Sequence, residues 1–375
     1  MQIKNLTGIR GFAALWVALF HFQSTAVVST LNLGPVIGGG AYGVDIFFVL
    51  SGLILAINYA PRFANEGFNW NSFGDFLIRR FARIYPLHLA TFLVMFVSWE
   101  VASQTSYQFH GLVVNDWWSA ICNLLLVHAW GLTRRLSWNT PSWSVSAEWF
   151  AYLAVFPVCV VLMKKLSAAQ AMAVSMIVWM LFVAYVLALR DGDLMQVNAD
   201  GALRIIPEFF AGYATYRLVV ASRSPAAGNL PTFLGLSGIV LTLLLPPAAL
   251  VLLLPAILLL MIGLYRGGRL VDWAFGNAVL VFLGEISYSI YMLHMFVQII
   301  ASQIVHHLAI APTANHARLI LLAEVLSTIC LGYLGYVWLE APARRSLVAR
   351  MMQFHRAPAR KGALVVDGGA PGAPS

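Results

Sequence analysis

Charge is what this chain has least of. Only 10% of its 375 residues are Asp, Glu, Lys or Arg, against 60% hydrophobic, whereas a soluble domain carries about 25% charged residues. Together with a mean hydropathy of +0.79, this excludes an ordinary soluble enzyme and a disordered chain alike. Cysteine is also sparse. Cys122, Cys159 and Cys330 are odd in number and form no CxxC pair, so neither a disulfide frame nor a metal site follows. No long internal repeat and no sizeable soluble domain is visible. Nor is there a basic stripe with interleaved aromatics, so no nucleic-acid partner is expected. The net charge of +8 is read instead as topology, because basic residues gather at the ends of apolar segments.

What is present is an all-α, polytopic membrane protein with membrane lipid as its solvent. Spans need about 20 mostly apolar residues. Ten segments qualify: 7–27, 41–60, 82–102, 143–163, 170–190, 203–221, 231–246, 248–266, 278–300 and 319–341. The first is read as a retained span, not a cleaved leader, since it carries His21 and no small-residue cleavage site. Lys4 places the N-terminus inside. Arg62, Arg79 and Arg80, then Lys164 and Lys165, Arg217 and Arg223, and Arg266 and Arg269 mark later inner loops. Both termini are then cytoplasmic. Segment 117–132, 16 residues long, would reverse every later loop if it spanned, so it is read as a re-entrant or interfacial helix. Arg134 and Arg135 then lie outside, a mild violation of the rule. The domain is assigned to 1–345. Residues 346–375, rich in Gly, Ala, Pro and basic groups toward the end, are expected to be a disordered cytoplasmic tail.

Polar residues inside such spans are costly and default to a functional reading. His21 follows Arg10 by eleven residues. These three helical turns place both on nearly one face, roughly 16 Å apart. Counting from the inner ends of their spans, His21, Asp45, Glu148 and His294 all fall roughly 21–24 Å from the inner surface. Charges at mid-helix cost roughly 2.5–3.5 kcal/mol each on insertion scales, so one shared polar chamber is expected. A second cluster lies at the inner surface, where Arg80 and Arg83 share a face at i, i+3. Arginine forks bind phosphate in bidentate fashion, and Arg10 could join them. Phosphate-binding arginines inside and a titratable chamber beyond suit a donor with a phosphate-rich head and a reactive end on a long arm. Acyl-CoA is such a donor. A histidine with a nearby carboxylate can take the proton of an acceptor hydroxyl.

Six ordered blocks resemble the acyltransferase 3 family of bacterial membrane O-acyltransferases. Leu6-Thr7-Gly8-Ile9-Arg10 through His21-Phe22 is similar to its opening arginine–histidine signature, and Gly43-Val44-Asp45-Ile46-Phe47-Phe48 through Ser51-Gly52 to its second-span motif. Arg80-x-x-Arg83-Ile84-x-Pro86, Trp143-Ser144 through Glu148, Leu283-Gly284 through His294, and Glu340-x-Pro342 complete the set. The resemblance covers about residues 5–345. It implies transfer of acyl groups, often acetyl from acetyl-CoA as co-substrate, with no tightly bound cofactor. The acceptors are hydroxyls of surface glycans, lipid-linked sugars or small natural products, and the location is the inner (plasma) membrane. It further implies that His21 is catalytic, as base or transient acyl carrier. Arg10, Arg80 and Arg83 would serve the CoA side, and Asp45 and Glu148 the acceptor side or the orientation of the histidine. Some members carry a fused extracytoplasmic hydrolase-like domain. None is read here, so either transfer is direct or a separate extracytoplasmic acyl-accepting protein takes part.

Plainer readings stand beside these. His21 could pack between helices, Arg80 and Arg83 could be interfacial anchors, and Asp45 could simply pair with Arg10 or another span. Glu208 and Glu324 are read as rim residues. A proton-coupled transporter is the functional alternative, since buried His, Asp and Glu also form proton relays. The missing repeat and the lack of paired broken helices weigh against it.

Overall fold

A computed structural model describes residues 3–104, 116–133, 135–162, 165–221 and 227–356. Among them all regular structure is helical. Arg134, Lys164, Arg223, Arg360 and Lys361, used above as topology markers, lie outside the described residues.

The α-helices of seven or more residues are α1 (Lys4–Phe22), α2 (Gly43–Glu66), α3 (Trp70–Gln104), α4 (Trp117–Leu124), α5 (Trp143–Phe150), α6 (Phe156–Leu162) and α7 (Ala168–Leu189). There follow α8 (Gly201–Ala221), α9 (Asn229–Leu244), α10 (Leu253–Arg266), α11 (Arg269–Phe275), α12 (Ala278–Glu285), α13 (Ser287–His307), α14 (Ala314–Gly335) and α15 (Ala341–Arg356). Wider π turns at Ala151–Val155 and Tyr336–Glu340 join α5 to α6 and α14 to α15 without a break.

Among the described residues, seven segments are long and apolar enough to cross a membrane: Gly34–Phe63, Trp70–Gln104, Thr140–Leu162, Ala168–Leu189, Pro247–Arg266, Ser287–His307 and Ala314–His355. The other three of the ten expected spans are helices that do not meet that standard. α9 has only 16 residues. α8 carries Arg204, Glu208 and Arg217. α1 carries Lys4 and Arg10 and is buried along most of its length, packed against α2, α12 and α13. Segment 117–132 contributes only the eight-residue α4 followed by turns, about 12 Å of helix at 1.5 Å per residue. Segment 278–300 is interrupted at Ile286, which leaves helical geometry, so the long helix begins at Ser287.

Two contacts place the site. A Cβ on Gly11 would come within 2.7 Å of the Gly284 nitrogen and the Leu280 carbonyl, so glycine lets α1 and α12 touch backbone to backbone. Gly52 on α2 and Gly212 on α8 play the same part for each other's helix, facing the Phe209 and Val49 carbonyls. Lacking a hydrophobic drive in lipid, helices associate through such small-residue contacts. The C-terminal expectation is corrected for 346–356, which continue α15 as helix, while 357–375 lie outside the described residues. It packs on the start of α3, with the His355 ring 3.2 Å from the Asn71 carbonyl and 3.9 Å from Asp75.

Candidate active site

Five elements enclose a cavity of about 270 Å³ whose wall includes Arg10 from α1, Ser51 from α2, Arg80 and Arg83 from α3, Glu148 from α5 and Tyr288 from α13. The i, i+3 spacing aims Arg80 and Arg83 into it together. Arg80 also lies over the Tyr59 ring, 5.8 Å from its centroid. Glu148 accepts hydrogen bonds from the Ser51 and Tyr152 hydroxyls. Tyr152 stands on the π turn after α5, a distortion that recurs at functional sites. The segment between α4 and α5 holds α5 in place. Ser146 Oγ donates to the Leu126 carbonyl (2.8 Å) and accepts from the Ala129 amide (3.1 Å). Behind it, His128 Nε2 lies 3.2 Å from Ser142 Oγ. Burial, and secondarily the His88 ring, push His128 down to about 3, so it is neutral at any working pH.

His21 does not line this cavity. It stands half-buried beside the fully buried His294, with ring centroids 4.9 Å apart. The contacts dictate a tautomer. His294 Nδ1 is 2.7 Å from the Tyr291 carbonyl, which can only accept, so in the neutral ring Nδ1 holds the proton and Nε2 a lone pair. That Nε2 lies 3.2 Å from His21 Nδ1, which is also 3.0 Å from the Val17 carbonyl. Both neighbours are acceptors, so His21 Nδ1 is the donor, shared between them, and its Nε2 is left as a bare lone pair. Tyr291 links the two halves. Its side chain lines the cavity, and its carbonyl orients His294.

Asp45 is elsewhere. Both its oxygens are gripped by Arg204, at 3.0 Å from Nε and 2.7 Å from the terminal nitrogen, with both side chains fully buried. The guanidinium lies over the Trp143 ring at 5.2 Å, and Glu208, also fully buried, is adjacent. The four residues expected in one chamber therefore fall into three groups: His21 with His294, Glu148 with the arginines, and Asp45 with Arg204. Depth along a helix sets height but not which neighbour a side chain faces, and each group found its partner sideways. Glu208 is likewise not a rim residue. Glu324 is 2% exposed and accepts from Thr25 Oγ1 at 2.7 Å. Arg204 escaped the sequence reading. An arginine in span 203–221 with a carboxylate at i+4 was the available signal.

The family profile described as an acyltransferase domain, that of acyltransferase 3, matches residues 3–337. The chain belongs to the acyltransferase 3 family. The match takes in the arginine-lined cavity and the histidine pair, and stops short of α15. Acyltransferase MdmB of Streptomyces mycarofaciens is 34% identical over 176 residues, 45% of this chain and 42% of that protein. YrhL of Bacillus subtilis (strain 168), named as a candidate peptidoglycan O-acetyltransferase, is 29% identical over 186 residues, 47% of this chain and 27% of its own. The chain thus matches less than half the length of these curated relatives. No solved structure matches.

Proposed function

We propose that the protein is a multi-pass O-acyltransferase of the cell's inner membrane. It moves an acyl group, acetyl in the first instance, from acyl-CoA to a hydroxyl of a cell-surface glycan or lipid-linked saccharide. The observation that carries this reading is that two helices hold both halves of the chemistry. α1 bears Arg10 and His21, and α13 bears Tyr288 of the cavity wall and His294. Guanidinium forks match phosphate and stay charged, so Arg10, Arg80 and Arg83 suit the pyrophosphate of CoA. The roughly 16 Å from Arg10 to His21 suits a phosphate head and a thioester on a long arm. The name of YrhL supports acetyl as the group and a saccharide as the acceptor.

His21 Nε2 takes the proton of the acceptor hydroxyl as the oxygen attacks the thioester carbonyl. The carbon–sulfur bond then breaks, and the CoA sulfur leaves with the proton from His21, which restores the neutral ring. His294 is a positioning residue. It keeps the proton on Nδ1 of His21 and so leaves Nε2 free to act. Glu148, held by the Ser51 and Tyr152 hydroxyls, shares the cavity with the arginines and not with the histidine, and Asp45 is structural.

Two expectations test these roles. Arg83→Ala is expected to raise KM for acyl-CoA about tenfold with kcat little changed, since a charge-assisted phosphate contact made before the chemistry is uniform binding. An unchanged KM would remove Arg83 from the donor site. His294→Leu is expected to lower kcat roughly 10- to 100-fold, part of the 10²–10⁴ that a general base supplies, with KM unchanged. His294→Gln, which can still offer His21 an acceptor, is expected to recover part of the loss. Equal activity of the Leu and Gln variants would argue against a tautomer-fixing role.

A further inference from the structure

The arginine-lined cavity is one of three that meet at the same end of the bundle. A second, of about 440 Å³, is lined by Arg79, Arg80, Arg83, Arg344 and Arg345. A third, of about 470 Å³, includes Arg10, Arg83, Glu285 and Arg344. They share walls: Arg80 and Arg83 join the first to the second, Arg10 and Arg83 the first to the third, and Arg344 the second to the third. Six arginines therefore surround one mouth; among the described residues the carboxylates facing them are Glu148 and Glu285 in the walls, with Glu340 buried beside Arg10. Such an excess of cations beside a membrane calls for a polyanion. Arg344 and Arg345 come from α15, beyond the end of the family match at residue 337, and α15 is fastened to α3 through His355 and Asn71.

We infer that Arg344 and Arg345, with Arg79 opposite, form a second phosphate subsite that takes the 3′-phosphate of the adenosine end of CoA. This rests on the acyl-CoA reading above. CoA carries its phosphates in two places, a pyrophosphate in the chain and a monophosphate on the ribose. The protein likewise offers two arginine groups, one deep on α1 and α3 and one at the entrance on α15. A lone phosphate would need only one of them. Anionic lipid headgroups share the chemistry of the outer pair, so the test separates the two sources.

The test is equilibrium binding of CoA and of 3′-dephospho-CoA to the purified full chain in phosphatidylcholine nanodiscs. The wild type is expected to prefer CoA about tenfold, the worth of one good charge-assisted contact. The double variant Arg344→Gln, Arg345→Gln is expected to bind both ligands with the affinity the wild type shows for dephospho-CoA. Arg344→Lys, Arg345→Lys is expected to keep part of the preference. A wild type that binds both equally overturns this inference and leaves the donor reading standing. A wild type that binds neither overturns both. A double variant that keeps the preference, or weakens both ligands by the same factor, overturns the subsite. So does phosphatidylglycerol that co-purifies with the wild type but not with the double variant while the CoA preference is absent, since the arginines would then hold lipid.

Discussion

Replacing His21 by alanine is expected to abolish acyl transfer while the protein still inserts in the membrane. The loss should be at least the roughly 10²–10⁴-fold that a positioned general base contributes. The physical reason is specific to one atom. The Val17 carbonyl and His294 Nε2 both take the Nδ1 proton, so only Nε2 is free to act, and alanine has nothing in its place. The substitution also leaves His294 Nε2 without its donor, at an expected cost of about 1–3 kcal/mol for a buried orphaned group. That is small enough for the fold to survive. Turnover per molecule of membrane-inserted protein, quantified by immunoblot, is the measurement. Turnover within a few-fold of wild type would remove His21 from the chemistry.

Arg204→Met is expected to be the most destabilising single change in the bundle. It takes the cation away from a carboxylate that has no route to water, since Asp45 and Arg204 are both fully buried. Breaking such a pair from one side typically costs 3–5 kcal/mol. The consequence reaches the site, because Arg204 also lies over Trp143 at the start of α5, the helix that presents Glu148. A large fall in the thermal unfolding temperature in detergent is expected. Adding Asp45→Leu to Arg204→Met should recover much of it, because replacing both charges by apolar groups is often near neutral. A double variant as unstable as the single would mean that the pair is not what is lost. Transfer by the double variant at a temperature where it stays folded would confirm that Asp45 acts on structure.

Part of the site is legible in the sequence. Arg10, Arg80 and Arg83 stand near the ends of apolar runs in the sequence, Arg80 and Arg83 on one face, and the structure brings all three to one cavity with Glu148. The 117–132 segment reads as re-entrant or interfacial because a span there would reverse every later loop, and its helix α4 has eight residues. What the sequence could not carry is azimuth. Asp45 and Glu148 count to the same depth, yet one turns toward α8 and the other toward the arginines. Periodicity within one helix says nothing about which neighbour occupies the facing groove. Of the ten expected spans, seven are long and apolar enough to cross a membrane; α1 falls short of that standard with Lys4 and Arg10 on it, and α2, α12 and α13 enclose most of its length. Composition also misjudged α15. Its arginines and lack of an apolar run resemble a solvated tail, but packing on α3 through residues such as His355 supplies the order that its own sequence does not.

The central claim is that a histidine on α1 moves an acyl group from CoA to a hydroxyl. The most direct measurement is transfer from radiolabelled acetyl-CoA in membranes containing the wild type or His21→Ala at matched levels. Label in a glycan or lipid-linked saccharide fraction with the wild type alone is the expected result. Equal label with both proteins, or proton-driven solute uptake with no label in any fraction, would contradict it.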